Sequence, residues 1–276
     1  MKTLYLCDLD GTLLRSDLTL SERTCRVIGR TVSRGIAFAF ATARSRTTAL
    51  KVTKGLTVPL PMIAYNGAFI VDTATGRILH KRTFTASQAE EICGCLQEFG
   101  LSPIVYRLAE GRERFSFYPG RVSRPTMDFI LSRGDDPRRD PLTEEEDILA
   151  GEPFYFNCIA EEAALRGAYE RLRDRYEVLY YDDIYSGERW LEIMPRGATK
   201  AEAALVLRDM LGCGRIAAFG DSVNDIALFE TADEKYAVSN ADPRLKALAD
   251  EIIPSNDEDG VACKLEQLFS SEPAML

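Results

Sequence analysis

Residues 3–14 of this 276-residue chain read TLYLCDLDGTLL and join a short apolar segment to a pair of carboxylates. Residues 3–7 are rich in side chains that favour a β-strand. If the strand continues through Asp10, alternation puts Asp8 and Asp10 on one face, where their like charges repel. A divalent cation would relieve this repulsion, and carboxylate oxygens suit Mg²⁺. From these residues alone, the alternative is an exposed strand-end turn, because Asp-Gly is common in turns.

The composition is that of an ordinary globular protein, with 46% apolar residues, 28% charged residues and a net charge of −9. This length suits one large domain or two smaller ones. The acidic balance argues against nucleic acid, whose phosphates require basic patches. No apolar stretch approaches the ~20 residues of a membrane helix, and the early acidic motif is unlike a signal peptide. We therefore expect a cytoplasmic monomer or small homo-oligomer with no nucleic-acid or membrane partner.

Seven cysteines and a single histidine, His80, limit the available chemistry. No Cys-x-x-Cys pair occurs, so a zinc site is not expected. The cysteines are best interpreted as small buried side chains in a reducing cytoplasm. One histidine is a poor basis for a Ser-His-Asp or Cys-His enzyme. Catalysis is therefore expected to depend on carboxylates, lysine and a metal ion.

Residues 1–81 and 191–276 alternate apolar strands with amphipathic helices, as in a doubly wound α/β fold. Their predicted strands are residues 3–7, 36–41, 61–65, 215–219, 235–238 and 251–253, with a hairpin at 68–71 and 77–80. Their predicted helices are residues 21–34, a helix from about 45, 199–211 and 260–269. We expect a Rossmann-like parallel sheet that binds its ligand outside the carboxyl ends of the strands.

Residues 82–190 have a different pattern, which predicts an inserted α+β cap domain. Helices are expected at 85–99, where Thr85 and Gln88 form a capping box, and at 124–132 and 161–173. Strands are expected at 103–108, 114–118, 154–159, 177–181 and 188–194, and an exposed loop at 133–141. The predicted domains are therefore a catalytic core of residues 1–81 and 191–276 and a cap of residues 82–190. We expect the cap to cover the strand-end site, exclude water and select the substrate.

Several polar residues fall at the carboxyl ends of predicted core strands or at neighbouring helix starts: Asp8, Asp10, Thr42, Lys200, Asp221, Asn224 and Asp225. Ordinary alternatives are a helix cap for Thr42 and a solvated surface position for Lys200. Together the residues suit phosphoryl transfer. An aspartate can attack phosphorus, Mg²⁺ can offset the repulsion between anions, and a hydroxyl, a lysine and backbone amides can hold the phosphate oxygens.

These residues resemble the four motifs of haloacid dehalogenase superfamily phosphatases, and most closely the Cof-like hydrolase branch. The matching stretches are DLDGTLL at residues 8–14, the strand that ends in Thr42, PRGATK at 195–200 and GDSVND at 220–225. Residues 65–68, 239–241 and 256–261 also resemble stretches of that branch. The position and length of residues 82–190 match its α+β cap.

The resemblance implies roles for the reacting and metal-binding groups. Asp8 would be the nucleophile, and Asp10 would be the general acid for the leaving group and then the base for water. Mg²⁺ would be bound by Asp8, the backbone oxygen of Asp10 and Asp221.

The resemblance also implies roles for the groups around the phosphate. The phosphate-binding residues would be Thr42, Ala43, Lys200 and Asn224, and the supporting residues Asp225, Asn66 and Arg44. Arg44 fits the family pattern, and a plain surface role is its alternative. Ala43 and Ser239 stand where the family usually has glycine, and Ser45 stands where proline or serine is common. These departures remove no reacting group, but they leave the geometry of the loops beside the phosphate open.

The resemblance implies a Mg²⁺-dependent phosphatase that acts on a small phosphomonoester, such as a sugar phosphate, through an aspartyl-phosphate intermediate. A phosphomutase or phosphotransferase on the same core is an alternative. A phospho-accepting signalling domain would need its acceptor on a later strand than the acidic pair and would leave the insert unexplained. A binding protein without catalysis is disfavoured because all four motifs keep their reactive side chains.

Overall fold

The computed structural model describes residues 1–182 and 187–269, which form two compact units. The core unit consists of Met1–Lys81 and the chain from Ala198 onward, and the cap unit is Arg82–Gly197. The sequence places the second boundary at residue 190, but in the structure the cap unit extends to Gly197. The reason is that the strand at Arg189–Met194 pairs with other strands of the cap unit.

In chain order, the strands are β1 (Thr3–Cys7), β2 (Ala37–Phe40), β3 (Met62–Ala64), β4 (Phe69–Val71), β5 (Ile78–Lys81), β6 (Ile104–Ala109), β7 (Arg112–Phe117), β8 (Arg139–Pro141), β9 (Glu152–Ile159), β10 (Glu177–Asp182), β11 (Arg189–Met194), β12 (Arg215–Gly220), β13 (Glu234–Val238) and β14 (Glu251–Ile253). The helices are α1 (Glu22–Ser33), α2 (Arg46–Val52), α3 (Ala86–Glu98), α4 (Arg124–Ser132), α5 (Glu162–Leu172), α6 (Lys200–Met210), α7 (Ile226–Thr231), α8 (Pro243–Lys246) and α9 (Gly260–Phe269).

The core unit is built on a parallel sheet, which confirms the predicted α/β class. Within the described residues its strands run in the order β14-β13-β12-β1-β2. Residues of β1 and β2 are almost all buried, as expected of strands covered on both faces. In the register of β1 and β12, Cys7 lies opposite Phe219. The carboxyl ends of these two central strands therefore lie side by side at one edge of the sheet. This is the edge at which a ligand is expected.

The third predicted core strand, β3, is not a full member of the parallel sheet. It forms an antiparallel sheet with β4 and β5. Within the part of the chain that the structure describes, a single parallel bridge, from Ala41 to Ile63, links it to the chain after β2. Pro59 and Pro61 precede β3 and carry no backbone N–H, so the bridge cannot extend toward the start of the strand. The hairpin of β4 and β5 is confirmed.

The cap unit contains a mixed sheet in the order β10-β11-β9-β6-β7-β8, antiparallel except for β7 with β8. Helices α3 and α5 pack on this sheet and form an apolar core with it. The helices contribute Ile92, Leu96 and Leu165, and the strands contribute Val105, Phe156 and Leu191. The sequence predicts a loop over residues 133–141, but β8 lies there. The buried Arg107 guanidinium explains the difference, because it pairs with Asp140 of β8 at 2.9 Å.

Helix starts follow the sequence closely. Ser21 and Ser45 accept hydrogen bonds from the backbone N–H of Thr24 and Thr48, and Thr85 forms the predicted capping box with Gln88. Among the helices in residues 1–182 and 187–269, none has the length and apolar character needed to cross a bilayer.

A pair of glycines tests the backbone arrangement of the core unit. Gly67 has φ +106°, and an added Cβ would lie 2.1 Å from the carbonyl oxygen of Thr199. Gly29 lies inside α1, and its added Cβ would meet nothing within 4 Å. Chemical denaturation should show that Gly67→Ala lowers the free energy of unfolding by about 1–3 kcal/mol. Gly29→Ala, the control, should raise it by about 0.5–1 kcal/mol. Equal effects of the two substitutions would contradict the close approach at Gly67.

Candidate active site

An acidic cluster lies at the carboxyl ends of β1 and β12. Asp8 follows β1 directly, and its backbone N–H continues the sheet by donating to the carbonyl oxygen of Phe219. Asp221 follows β12, and Asp225 ends the next turn. Carboxylate oxygens of these three aspartates lie within 4.8 Å of one another, and the residues are at most 9% exposed. The parallel sheet therefore brings together carboxylates that are more than 200 residues apart in the chain.

Lys200 is the first residue of α6 and is buried among these carboxylates. Its Nζ lies 2.9 Å from Asp8 Oδ1 and donates a hydrogen bond of 2.7 Å to Asp225 Oδ1. Only 1% of Lys200 is exposed, so the solvated surface alternative is wrong. Burial by itself would lower the pKa of Lys200, but the charges of Asp225 and Asp8 raise it above its ordinary value. Lys200 therefore stays protonated beside Asp8.

The turn Tyr65–Gly67 lies against the start of α6. Gly67 has no side chain, and this lets the turn pack against the carbonyl oxygen of Thr199. The N–H of Asn66 donates to the carbonyl oxygen of Thr42 at 3.0 Å, and the Asn66 side chain accepts from Asn224. Tyr65 and Asn66 both have positive φ, which is uncommon for residues with side chains. The turn thus links the Thr42 segment, the Lys200 helix and the Asn224 loop.

The segment that carries Asp10 is a loop and not an extension of β1. The strand ends at Cys7, and Leu9–Leu13 form a turn in which Asp10 and Gly11 have non-helical dihedral angles, so Asp8 and Asp10 do not share a strand face. Gly11 at φ +73° allows the turn to close around Asp221, because an added Cβ would lie 2.4 Å from Asp221 Oδ2. The other oxygen of Asp221 accepts a 2.6 Å hydrogen bond from Thr12.

Asp10 forms a two-point ion pair with Arg44. Arg44 Nε donates to Asp10 Oδ2 at 2.7 Å, and Arg44 Nη2 donates to Asp10 Oδ1 at 2.6 Å. Such forked pairs fix orientation as well as charge. The plain surface role for Arg44 is therefore wrong, since its guanidinium orients the carboxylate of Asp10.

Thr42 and its neighbours lie where β2 ends. Thr42 is fully buried, and its hydroxyl accepts from the N–H of Arg44 at 3.1 Å. The N-cap of α2 is Ser45 and not Thr42, so the helix-cap alternative for Thr42 is wrong. Ala43 is partly exposed, and Ser239 is exposed.

Asn224 is oriented by Asn66. Its Nδ2 donates to Asn66 Oδ1 at 3.1 Å, while its buried Oδ1 has no hydrogen-bond partner among the described residues. A phosphate oxygen would need the NH₂ group, which has two N–H donors, and the bond to Asn66 uses one of them.

The electrostatics of the cluster favour a bound cation. Burial raises the pKa of Asp8 to about 7, against the lowering effect of Lys200. Burial, with the charges of Asp8 and Asp225, also raises the pKa of Asp221 well above its ordinary value. These carboxylates therefore carry their charge at a cost that a cation would reduce.

The oxygens differ in their availability to a cation. Both oxygens of Asp225 are engaged, one by Lys200 and the other by the backbone N–H groups of Asp221 and Ser222. In Asp221, Oδ1 accepts from Thr12 and Oδ2 lies over Gly11. Asp8 and Asp221 are therefore better suited than Asp225 to bind a metal ion directly.

Comparison with known proteins agrees with this geometry. A sequence model of the family described as haloacid dehalogenase-like hydrolase matches residues 5–265. The chain belongs to this family. A relative in Bacillus subtilis, 5-amino-6-(5-phospho-D-ribitylamino)uracil phosphatase YwtE, is 29% identical over 97% of this chain and 98% of its own. Phosphatase YwpJ of the same organism is 28% identical over 96% of this chain and 99% of its own.

Two solved structures have the same fold. The crystal structure of TM0651 from Thermotoga maritima has a TM-score of 0.80 and 25% identity, and covers 97% of each chain. A haloacid dehalogenase-like hydrolase from B. subtilis has a TM-score of 0.78 and 24% identity, covering 98% of this chain and 100% of its own.

The buried position of Lys200 can be tested by stability. Lys200→Met leaves the carboxylates of Asp8 and Asp225 buried without their cation, so the free energy of unfolding near pH 7 should fall by about 3–5 kcal/mol. Lys51→Met removes an exposed lysine of α2 and should change it by at most about 0.5 kcal/mol. Denaturant titration of both variants measures the difference. A loss no larger for Lys200→Met than for the control would contradict the ion pairs.

Proposed function

We infer that this chain is a Mg²⁺-dependent phosphatase that hydrolyses a small phosphomonoester through an aspartyl-phosphate at Asp8. The observation that supports this most strongly is the contact between the Asp8 carboxylate and the Lys200 ammonium at the end of β1. A carboxylate kept beside a buried cation is a nucleophile whose charge is balanced when an anionic phosphoryl group approaches.

The proposed reaction has two steps. In the first, an Asp8 oxygen forms a bond to phosphorus, the bond to the leaving oxygen breaks, and Asp10 gives its proton to that oxygen. In the second, water attacks phosphorus, Asp10 takes a proton from the water, and the Asp8–phosphorus bond breaks. Because Asp10 is paired with Arg44 as a carboxylate, it must free one oxygen and take up a proton from solvent before it can protonate the leaving oxygen. An anionic phosphoryl group offers Arg44 another partner at that moment.

The proposed phosphate-binding and metal-binding groups are drawn from the same cluster. Thr42, the backbone at Ala43, Lys200 and Asn224 would contact phosphate oxygens, with Asp225 and Asn66 holding Lys200 and Asn224 in place. Asp8, Asp221 and the backbone oxygen of Asp10 would hold Mg²⁺. When bound, this ion would neutralise charge so that an anionic carboxylate can approach an anionic phosphate.

The proposed substrate class is a small phosphorylated metabolite, and the inserted unit is proposed to select it. The name of the relative YwtE describes a phosphatase acting on a phosphorylated ribityl compound, which makes sugar and sugar-alcohol phosphates the first candidates. A screen of purified enzyme should include that compound, hexose phosphates and nucleotides.

The metal requirement gives a direct prediction. Hydrolysis of p-nitrophenyl phosphate should vanish in excess EDTA and return when Mg²⁺ is added. Ca²⁺ should inhibit, because its looser coordination disturbs in-line geometry. Full activity in chelator would contradict the proposed metal chemistry.

Substitutions of Asp8 and Asp10 should impair the reaction at different steps. Asp8→Asn should form no phosphoenzyme and show no turnover. Asp10→Asn should slow turnover by about 10²–10⁴-fold. With an activated ester, whose leaving group needs little protonation, this substitution should slow hydrolysis of the phosphoenzyme more than its formation. Intact-mass spectrometry after acid quench should then show one phosphoryl group on Asp10→Asn.

The control for these variants is Asp209→Asn, an exposed carboxylate of α6 that should leave turnover unchanged. Activity in Asp8→Asn, or a phosphoryl group that maps to another residue, would contradict the assignment.

A further inference from the structure

Two asparagine side chains hold the loop that carries Asp10. Asn240 Nδ2 donates a 2.7 Å hydrogen bond to the carbonyl oxygen of Gly11, and Asn240 Oδ1 accepts from the backbone N–H of Asn256 at 3.1 Å. Asn256 Nδ2 in turn donates to the carbonyl oxygen of Leu14 at 2.9 Å. Residues 239–241 and 256–261, which the proposed reaction does not use, thus contact the middle and the end of this loop.

The chain just after the loop is fixed by the same segment. Asp257 accepts hydrogen bonds from both the backbone N–H and the hydroxyl of Ser16, at 2.9 and 2.7 Å. Asp259 pairs with Arg15 at 3.0 Å. The exit of the loop is therefore anchored by side chains other than that of Asn240. Within residues 1–182 and 187–269, the hydrogen bond to its central carbonyl comes from Asn240.

The turn that carries Asn240 also contacts the proposed metal ligand. The N–H of Asp242 donates to the carbonyl oxygen of Asp221 at 2.7 Å. One short turn thus makes hydrogen bonds to both segments that border the proposed cation site. A change in its position would alter the distance between the Asp10 backbone and Asp221.

We propose that Asn240 is a positioning residue that holds the Asp10 loop in register with Asp221. This rests on the proposed function. The side chain supplies the donor and the acceptor that the geometry needs, one for Gly11 and one for Asn256, and only an amide of this length offers both. Small displacements of a reacting group reduce turnover steeply, so one hydrogen bond at this place affects function more than stability.

Because Asn240 is exposed, its effect on function can be separated from its effect on stability. Exposed hydrogen bonds contribute little to the free energy of folding, so Asn240→Ala and the similarly sized Asn240→Leu should keep Tm within about 2 °C of wild type. Arg244→Ala is the matched control. It removes an exposed ion pair with Asp242 of the same turn, and among the described residues the Arg244 side chain donates hydrogen bonds to Asp242 and to no residue of the loop.

The experiment measures Mg²⁺ binding to the resting protein by calorimetry, together with kcat and KM. Both Asn240 variants should bind Mg²⁺ about tenfold more weakly and lose about tenfold in kcat, the effect of one lost hydrogen bond. KM should change by less than about twofold, because the phosphate contacts remain. Mg²⁺ affinity and kcat equal to those of Arg244→Ala would overturn the proposal, as would losses that appear only together with a large drop in Tm.

The Mg²⁺ titration separates this inference from the proposed function. If wild-type protein hydrolyses no phosphoester, the proposed function fails. Weaker Mg²⁺ binding by the Asn240 variants would then still support the positioning role, and unchanged binding would overturn it.

Discussion

The ammonium group of Lys200 lies between the buried carboxylates of Asp8 and Asp225, and the candidate site depends on this contact. Three carboxylates in one buried cluster repel one another, and burial without partners is costly. Lys200 balances one of the three formal charges, which leaves two negative charges. A divalent cation would balance the remainder. Burial, with the charges of neighbouring carboxylates, raises the pKa values of Asp8 and Asp221.

Backbone shape, more than side-chain identity, brings these groups together. Glycines at positions 11 and 67 have positive φ and sit where a Cβ would collide with Asp221 or with the backbone before Lys200. The parallel pairing of β1 with β12 places Asp8 beside the turn that holds Asp221 and Asp225. The site is therefore assembled from five segments of the core unit: residues 8–12, 42–44, 65–67, the start of α6, and residues 221–225.

Much of this could be predicted from local sequence. Helix caps at Ser21 and Thr85, the apolar strands and the hairpin after β3 are set by neighbouring residues, and they were confirmed. The resemblance also identified the residues that converge at the strand ends. The pairing of strands was harder to predict. Strand β3 joins a separate sheet, and β8 contains Asp140, whose partner Arg107 is distant in the sequence. Such contacts join distant parts of the chain and leave no local pattern.

The same limit applies inside the site. The two-point pair of Arg44 with Asp10 and the bond from Thr12 to Asp221 depend on how loops fold back. Asn240 lies in a stretch that the resemblance singled out, yet its role could be proposed only from its contact with Gly11. A sequence motif can identify such a residue, but its hydrogen-bond partner is found only from the fold.

The most direct test of the central claim is a crystal structure of the protein with Mg²⁺ and beryllium fluoride, which mimics a phosphoryl group on aspartate. The account predicts beryllium bonded to a carboxylate oxygen of Asp8, fluorine atoms near Lys200 and Thr42, and Mg²⁺ between Asp8 and Asp221. Beryllium on another side chain, or an Asp8 still paired only with Lys200 at saturating Mg²⁺ and beryllium fluoride, would contradict it.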